Sequence, residues 1–355
     1  MTAKIGVGIL GTGRISDLHV LEYIANPATE IRGLCDRNID LARQKASAWG
    51  LKDVKTITDD MDDIFRDSEI DLVEILLPHD IHLRAALGAM EAGKIISLQK
   101  PMCSTLEEAD ILVEAVDGYD RPFKIFENFI FYPPVIKARE LIEQGTIGKP
   151  ISIRIKSHAG YSETEWEVPK SAQDWRQRVE RSGGGPLVFD DGHHKFALAW
   201  SFMGNPEAVH SFIREVTRED GFVFDAPAMV SFLFPENRVG NLEIVYSPEL
   251  MINTVYYAQD DRVEISGEKG IIWINGGHGK LGDSPPVILY EGGRFTEFTN
   301  IPTGWEQSFI LSTRDFINKV CNGGDPVLTT REAREILRFA SAAEQSNREG
   351  KTIYL

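Results

Sequence analysis

Apolar and polar positions follow two different rhythms along the chain, and the change falls a little after residue 130. In the first stretch, short apolar runs at 4–10, 31–35, 72–77, 95–98 and 123–126 are bounded by Gly, Pro, Asp or Asn. Runs of that length and composition predict buried parallel strands. Between them, the spacing of apolar residues predicts helices over about 15–25, 39–49 and 80–92, the last stopped by Gly93. Ser104-Thr105-Leu106-Glu107 has the spacing of a capping box and predicts a further helix through about residue 116. Strand–helix alternation of this kind means βαβ units and a doubly wound parallel sheet.

After Pro133-Pro134 and one helix ending near Gly145, the rhythm shortens to a period of two. Ile151, Ile153 and Ile155 alternate with Ser152, Arg154 and Lys156, as in a half-buried strand. Similar segments at 209–216, 228–234, 239–246, 263–266, 271–274 and 287–290 predict a mainly antiparallel sheet with one face covered. The tail returns to helix over 306–320 and 330–347. The chain carries no internal repeat, low-complexity tract or Gly/Ser linker, so two closely packed domains are expected, with a pocket where they meet.

Length and charge narrow the class. At 355 residues the chain has room for two domains, and its 42% hydrophobic and 26% charged content argues against disorder, collagen or coiled coil. Thirty-eight basic against 54 acidic residues leave a formal charge of −16, a surface that repels nucleic acid and anionic membrane. No apolar run has the length of a membrane span, and the start lacks the basic and apolar regions of a signal peptide. Cys35, Cys103 and Cys321 form no CxxC pair, which speaks against a disulfide framework or zinc knuckle. A soluble cytoplasmic protein is expected.

The chemistry concentrates in a few places. Gly11-Thr12-Gly13-Arg14-Ile15-Ser16 follows the first predicted strand and opens the first helix. In that context Gly11 allows a tight turn, Gly13 lets backbone N–H groups approach a pyrophosphate, and Ser16 is small enough for helix–strand packing. Asp36 ends the second strand, where an acidic side chain accepts from ribose hydroxyls and repels a 2′-phosphate. NAD is therefore expected, with NADP the alternative because Arg37 could pair with that phosphate. No GK[ST] follows, which excludes a Walker A loop. Gln99-Lys100-Pro101 falls at the carboxyl edge of the sheet, where a lysine can donate to a substrate oxygen. Further on come Trp175-Arg176, Gly183-Gly184-Gly185-Pro186 and Asp190-Asp191-Gly192-His193-His194-Lys195. On a helix, Asp190 and His194 share a face, and a carboxylate holding an imidazole suits proton transfer at neutral pH. The same two aspartates and two histidines are an alternative metal set, but the spacing is not that of a metal motif and no metal is expected.

Taken together, GTGRIS, Leu77-Pro78-His79-Asp80-Ile81-His82, QKP, Gly145-Thr146-Ile147-Gly148-Lys149-Pro150, WR, and GGG followed by DxGxH resemble the Gfo/Idh/MocA oxidoreductase family over nearly the whole chain. The resemblance implies an NAD(P)-binding Rossmann domain over 1–126. It also implies an α/β domain with an open-faced, mainly antiparallel sheet over 127–355, for substrate binding and oligomerisation. It implies Lys100, Asp190 and His194 as catalytic residues. Cofactor contacts are expected from Gly11, Thr12, Gly13, Arg14, Ile15, Asp36, Arg37, Leu77, Pro78, His79, His82, Gln99, Lys100, Asn128, Trp175 and Arg176. Substrate contacts are expected from Lys100, Tyr132, His158, Asp191, His193 and His194.

The chain departs from the family pattern at Gln99, where glutamate is usual, and at Leu77 and His79, where threonine and asparagine are usual. Phe129-Ile130-Phe131-Tyr132 follows Asn128 where an arginine is common, and the segment before Asp190 is one residue longer than the commonest form. These changes predict a pocket for a neutral, ring-bearing substrate such as a sugar glycoside. The expected activity is NAD-dependent hydride transfer to or from a secondary alcohol of a sugar, cyclic polyol or glycoside. The alternatives are a glycosidase that uses bound NAD in a transient oxidation, and a cofactor- or sugar-sensing regulator. A homodimer or homotetramer is expected.

Overall fold

The structure is a computed structural model and describes residues 4–355. Residues 1–3, part of the opening segment read for a leader, lie outside it. The chain divides into two compact units, 1–127 with 309–337, and 128–308 with 338–355.

In the first unit the order is β1 (Ile5–Leu10), α1 (Ser16–Ala25), β2 (Thr29–Cys35), α2 (Ile39–Ala48), β3 (Thr56–Thr58), α3 (Met61–Arg66), β4 (Leu72–Ile75), α4 (His82–Glu91), β5 (Ile95–Gln99), α5 (Leu106–Asp117) and β6 (Phe123–Phe126). All strands pair in parallel, in the order β3-β2-β1-β4-β5-β6. Connections run outward from β1 on one side and from β4 on the other. The carboxyl ends of these two strands therefore flank the switch point, where ligands of such sheets bind. Val7, Ile9, Leu34 and Leu72 share one buried core with Val20 and Tyr23 of α1 and Ala42 of α2. Phe316 and Ile317 join the same core from the returning segment, so chain order alone does not divide the two units.

Two local differences from the expected pattern have physical causes. The strand Thr56–Thr58 and the acidic helix Met61–Arg66 carry too few apolar residues to show a period. The cap of α5 sits one residue later than Ser104. Thr105 is extended and its hydroxyl accepts from Glu108 N (3.2 Å), while the Glu108 carboxylate accepts from Ser104 N (3.1 Å) and Oγ (2.8 Å). The S/T-x-x-E spacing occurs twice in succession, and the second register turns Ala109 and Leu112 inward.

The second unit contains α6 (Pro133–Glu143), β7 (Pro150–Tyr161), α7 (Lys170–Arg176), α8 (Val179–Ser182) and α9 (Gly192–Met203). Strands β8 (Ala208–Ile213), β9 (Val216–Thr217), β10 (Val223–Phe224), β11 (Ala228–Phe234), β12 (Arg238–Met251), β13 (Gln259–Gly267), β14 (Gly270–Asn275), β15 (Val287–Glu291) and β16 (Arg294–Phe298) follow. Helix α10 (Glu306–Asn322) belongs mostly to the first unit. Helix α11 (Thr330–Glu349) is divided between the two, and β17 (Ile353–Tyr354) closes the chain. Nine strands form one sheet, β16-β15-β14-β13-β7-β12-β11-β8-β17, in which only the β7–β12 pair is parallel. Along β11, Ala228, Val230, Phe232 and Phe234 are buried while Met229 and Leu233 point outward. Phe196 of α9 and Phe339 of α11 pack over Phe232 on the covered face. The other face carries Ile151, Phe212, Met229, Leu233 and Val239, each at least 39% exposed.

Candidate active site

The glycine turn has the geometry a dinucleotide needs. Gly11 sits at φ +91°, and its N–H donates to Cys35 O at 2.8 Å. A Cβ there would meet Leu76 O at 2.5 Å, so only glycine fits. At Gly13 a Cβ would meet nothing within 4 Å, which leaves the backbone open, as such a turn requires for a pyrophosphate to come close. Ser16, fully buried, donates through Oγ to Gly13 O at 2.6 Å and closes the turn. Asp36 lies beside it, with Oδ2 accepting from Thr12 N (2.8 Å) and Oγ1 (3.0 Å) and Oδ1 from Asn38 N (2.9 Å). These residues fit NAD. Arg14 is half-buried near Asp17, Ile15 half-buried and Arg37 exposed.

Beyond β4 and β5, two loops are tied by one imidazole. His82 is fully buried, with Nδ1 2.9 Å from Pro101 O and Nε2 2.8 Å from Leu77 O. Burial pulls its pKa below the ordinary value against those two carbonyls. The ring thus lies against the backbone of the segments that carry Leu77, Pro78 and Lys100. His79 is buried 5.6 Å away, ring to ring. Lys100 is 9% exposed, and its own N–H donates to Gln99 Oε1 at 2.7 Å. That bond orients the Gln99 amide, so its Nε2 donates to His19 Nε2 at 2.8 Å. Nδ1 of His19 then donates to Glu74 Oε1 (2.6 Å), whose other oxygen accepts from Tyr23 OH (2.7 Å). Burial lowers the pKa of His19 in spite of Glu74, in keeping with a neutral ring that accepts from an amide. A glutamate at position 99 would present only acceptors to the same nitrogen, so glutamine and a neutral His19 are matched.

In the second unit, the sequence between Gly185 and α9 takes a π-helical turn, Pro186–Asp191, in which Asp190 N donates back to Gly185 O at 3.0 Å. This turn absorbs the extra residue before Asp190 without disturbing the helix that follows. Asp225 caps it: Leu187 N and Val188 N each donate to its carboxylate at 2.7 Å. Burial pushes Asp225 up to about 7 against those donors. Asp190 accepts from Arg176 Nε at 2.9 Å, and the guanidinium lies 4.4 Å over the Trp175 ring. Arg176 also donates to Ala172 O. It is expected from sequence at the cofactor or substrate, and in the structure it holds Asp190. His193 and His194 are buried at the start of α9, and His194 stacks on Phe129 at 4.5 Å. Tyr132 is buried and donates to Thr303 O at 3.1 Å, and Asn128 donates to Ser308 Oγ at 2.9 Å.

Residues 5–125 match the family model described as the oxidoreductase family NAD-binding Rossmann fold, and residues 139–355 match its C-terminal alpha/beta domain. The chain belongs to the Gfo/Idh/MocA oxidoreductase family. It is 30% identical over 219 residues to levoglucosan dehydrogenase of Pseudarthrobacter phenanthrenivorans, a match covering 59% of this chain and 54% of that one. It is 24% identical to the scyllo-inositol 2-dehydrogenase (NAD(+)) of Bacillus subtilis over 100% of this chain and 97% of the other. The chain thus spans about half the length of the first relative and nearly all of the second. A solved levoglucosan dehydrogenase, in complex with NADH and levoglucosan, superposes with a TM-score of 0.84 at 22% identity over 99% of both chains. That likeness is one of fold.

Against this Gfo/Idh/MocA background, His158 lies apart from the residues gathered around α9, and four residues near them go unnoticed in the sequence. His158 follows Ser157 on β7, and strand alternation sends it to the sheet face opposite Ser157, away from α9. It pairs in register with Asp260, and burial with nearby Lys156 lowers its pKa. The unnoticed residues are Ser157, Gln259, Asp261 and His278. Ser157 Oγ donates to Asp261 Oδ1 (2.7 Å), and Gln259 Nε2 donates to Ser157 Oγ (2.6 Å) and Asp191 Oδ2 (2.5 Å). His278 Nε2 lies 3.9 Å from Asp191 Oδ1. Polar residues at inward positions of β13 are the signal that would have found two of them. Among the described residues, no group of three His, Cys, Asp or Glu is placed to hold a metal ion.

Proposed function

We propose that this oxidoreductase is an NAD-dependent dehydrogenase acting on a secondary alcohol of a sugar, cyclic polyol or glycoside. The observation that carries the reading is the start of α9, where buried His193 and His194 stand beside two anchored aspartates in a chain whose other domain binds NAD. The nicotinamide supplies the hydride acceptor or donor. His194, oriented by Asp190, takes the hydroxyl proton, and Lys100 hydrogen-bonds the same oxygen and stabilises developing alkoxide charge. Residues 1–126 serve the cofactor and 127–355 the substrate and self-association. Gly11, Thr12, Gly13, Arg14, Ile15 and Asp36 cradle the dinucleotide, and the Asp36 carboxylate favours NAD over NADP.

An uncharged ring substrate is supported by the aromatic series of the second unit. Phe129 lies 5.4 Å from His278, which is 4.3 Å from Trp305, and Tyr256, Tyr257 and Trp166 continue the series. Support for the alcohol class also comes from relatives named for levoglucosan and scyllo-inositol. The apolar residues on the exposed sheet face favour a homodimer or homotetramer. The acidic charge and the lack, among the described residues, of a helix able to cross a membrane favour the cytoplasm.

The test is an assay of reduced-nicotinamide absorbance with NAD, then NADP, against sugars, inositols, anhydrosugars and glycosides. Growth of the band with NAD and one polyol class is expected. No growth with any alcohol in either direction overturns the reading.

A further inference from the structure

Lys195, next to His194 in sequence, belongs to a closed ring of polar side chains drawn from the π turn, α9, β7 and β13, and the charge of His194 acts on Asp191 in that ring. Lys195 donates through Nζ to Asp191 Oδ2 at 2.7 Å and pairs with Asp261 Oδ2 at 3.2 Å. Ser157 and Gln259 complete the circuit from Asp261 back to Asp191. The Lys195 side chain is 0% exposed, that of Asp261 3% and that of Asp191 17%. His278 looks onto the ring, Nδ1 4.0 Å from Asp261 Oδ2. From the 129–132 segment the Phe129 ring lies 5.1 Å from Lys195 Nζ, and the Tyr132 hydroxyl feels the charge of Asp261. Replacing a buried ion cluster by apolar side chains often costs a fold nothing, so stability alone does not account for this one.

The two carboxylates are unequal. Burial pushes both up, but for Asp191 the nearby Lys195, His278 and His194 outweigh it and hold the carboxyl well below the usual range. Asp261 stays up at about 6, because burial and the Asp191 charge exceed the pull of Lys195 and Ser157. Lys195 remains charged, held above its ordinary value by both aspartates against burial.

We infer that Asp261 is a positioning residue for the acid/base histidine, dividing Lys195 between two carboxylates and so setting how strongly Asp191 acts on His194. The inference rests on reading His194 as the acid/base. With Asp261 ionised, Lys195 is shared, the Asp191–Lys195–Asp261 set carries one net negative charge, and the His194 imidazolium is favoured. When a proton from water binds Asp261, Lys195 turns wholly to Asp191, the set becomes neutral, and the imidazolium loses support. His194 and Asp261 therefore titrate as a coupled pair.

The experiment is an NMR titration of histidine-labelled full-length protein without cofactor, with His194 assigned from the spectrum of His194→Asn. His194 is expected to show two inflections, one near that of Asp261. Asp261→Asn should leave a single inflection, about one pH unit lower. Ser157→Ala, which removes a donor to ionised Asp261, should move the Asp261 step upward, and this variant decides the matter if Asp261→Asn does not fold. Identical His194 curves in the wild type and a folded variant overturn the inference. Because no turnover is read, an enzyme inactive on every alcohol would sink the proposed function while leaving this result to stand or fall alone.

Discussion

The glycine turn after β1 and the start of α9 meet opposite demands. At the turn, the proposed recognition is by backbone: Gly11 holds φ +91° and Gly13 leaves its face open, so the requirement is written in six consecutive residues. At the start of α9 the proposed proton handling rests on side chains: Lys195 of the same helix holds Asp191, while Arg176, Gln259 and Phe129 hold Asp190, Asp191 and His194 from other segments. A backbone site tolerates change around it but not in it. A side-chain site can be disabled from any of its supports.

The sharpest break of this comparison is His194→Asn or Lys100→Met. Either change is expected to lower turnover by about 10²–10⁴-fold while NAD affinity, measured by calorimetry, stays near the wild-type value. Parallel loss of NAD affinity would mean these side chains serve the cofactor instead. Gly11→Ala probes the other region. Its Cβ would collide with the Leu76 carbonyl at a left-handed backbone position, costing about 1–3 kcal/mol of stability and at least about a tenfold loss in NAD affinity. Unchanged affinity would show that the turn does not carry the dinucleotide.

A smaller effect concerns pH. Asp225 at about 7 lies above its unfolded value of about 3.9, so its folded form binds the extra proton between those limits. The stability it contributes is full below the unfolded value and is lost as pH rises through about 7. Asp261 and Glu344 shift in the same direction, whereas the depressed Asp191 acts only at the acid end. His19, His82 and His158, whose pKa values burial lowers, act in the opposite sense, so Asp225 is isolated by difference: the urea midpoint of the wild type is expected to fall relative to that of Asp225→Asn from about pH 5 to pH 8. A wild-type midpoint that rises relative to Asp225→Asn over this range would contradict the burial of Asp225 in uncharged form.

The same contrast explains what could be read from sequence. Buried parallel strands are apolar runs, so β1, β2, β4, β5 and β6 stand out, as does the turn that follows β1. The covered strands of the second sheet were visible wherever their inward residues are apolar. On β13 that alternation starts only at Val263, because Gln259 and Asp261 face inward as polar groups. The site thus erases the pattern that would have revealed its own strand. His278, in a glycine-flanked loop, had no local signal at all. The spacing of Asp190 and His194 was legible. The π turn that delivers them, and the commitment of Arg176 to Asp190, depend on Asp225 and α7 and lie beyond any local rule.

The buried ring of His82 joins the carbonyls of Leu77 and Pro101 across a gap of 24 residues in sequence, counted from 77 to 101. A neutral imidazole has one N–H to donate, so the ring bonds one loop and packs against the other, and the two loops keep their places around it. A change that re-aims the loop bearing Lys100 must also re-aim the one bearing Pro78. Variation in one of these segments is then inherited by its neighbour, and successful variants should arrive as pairs.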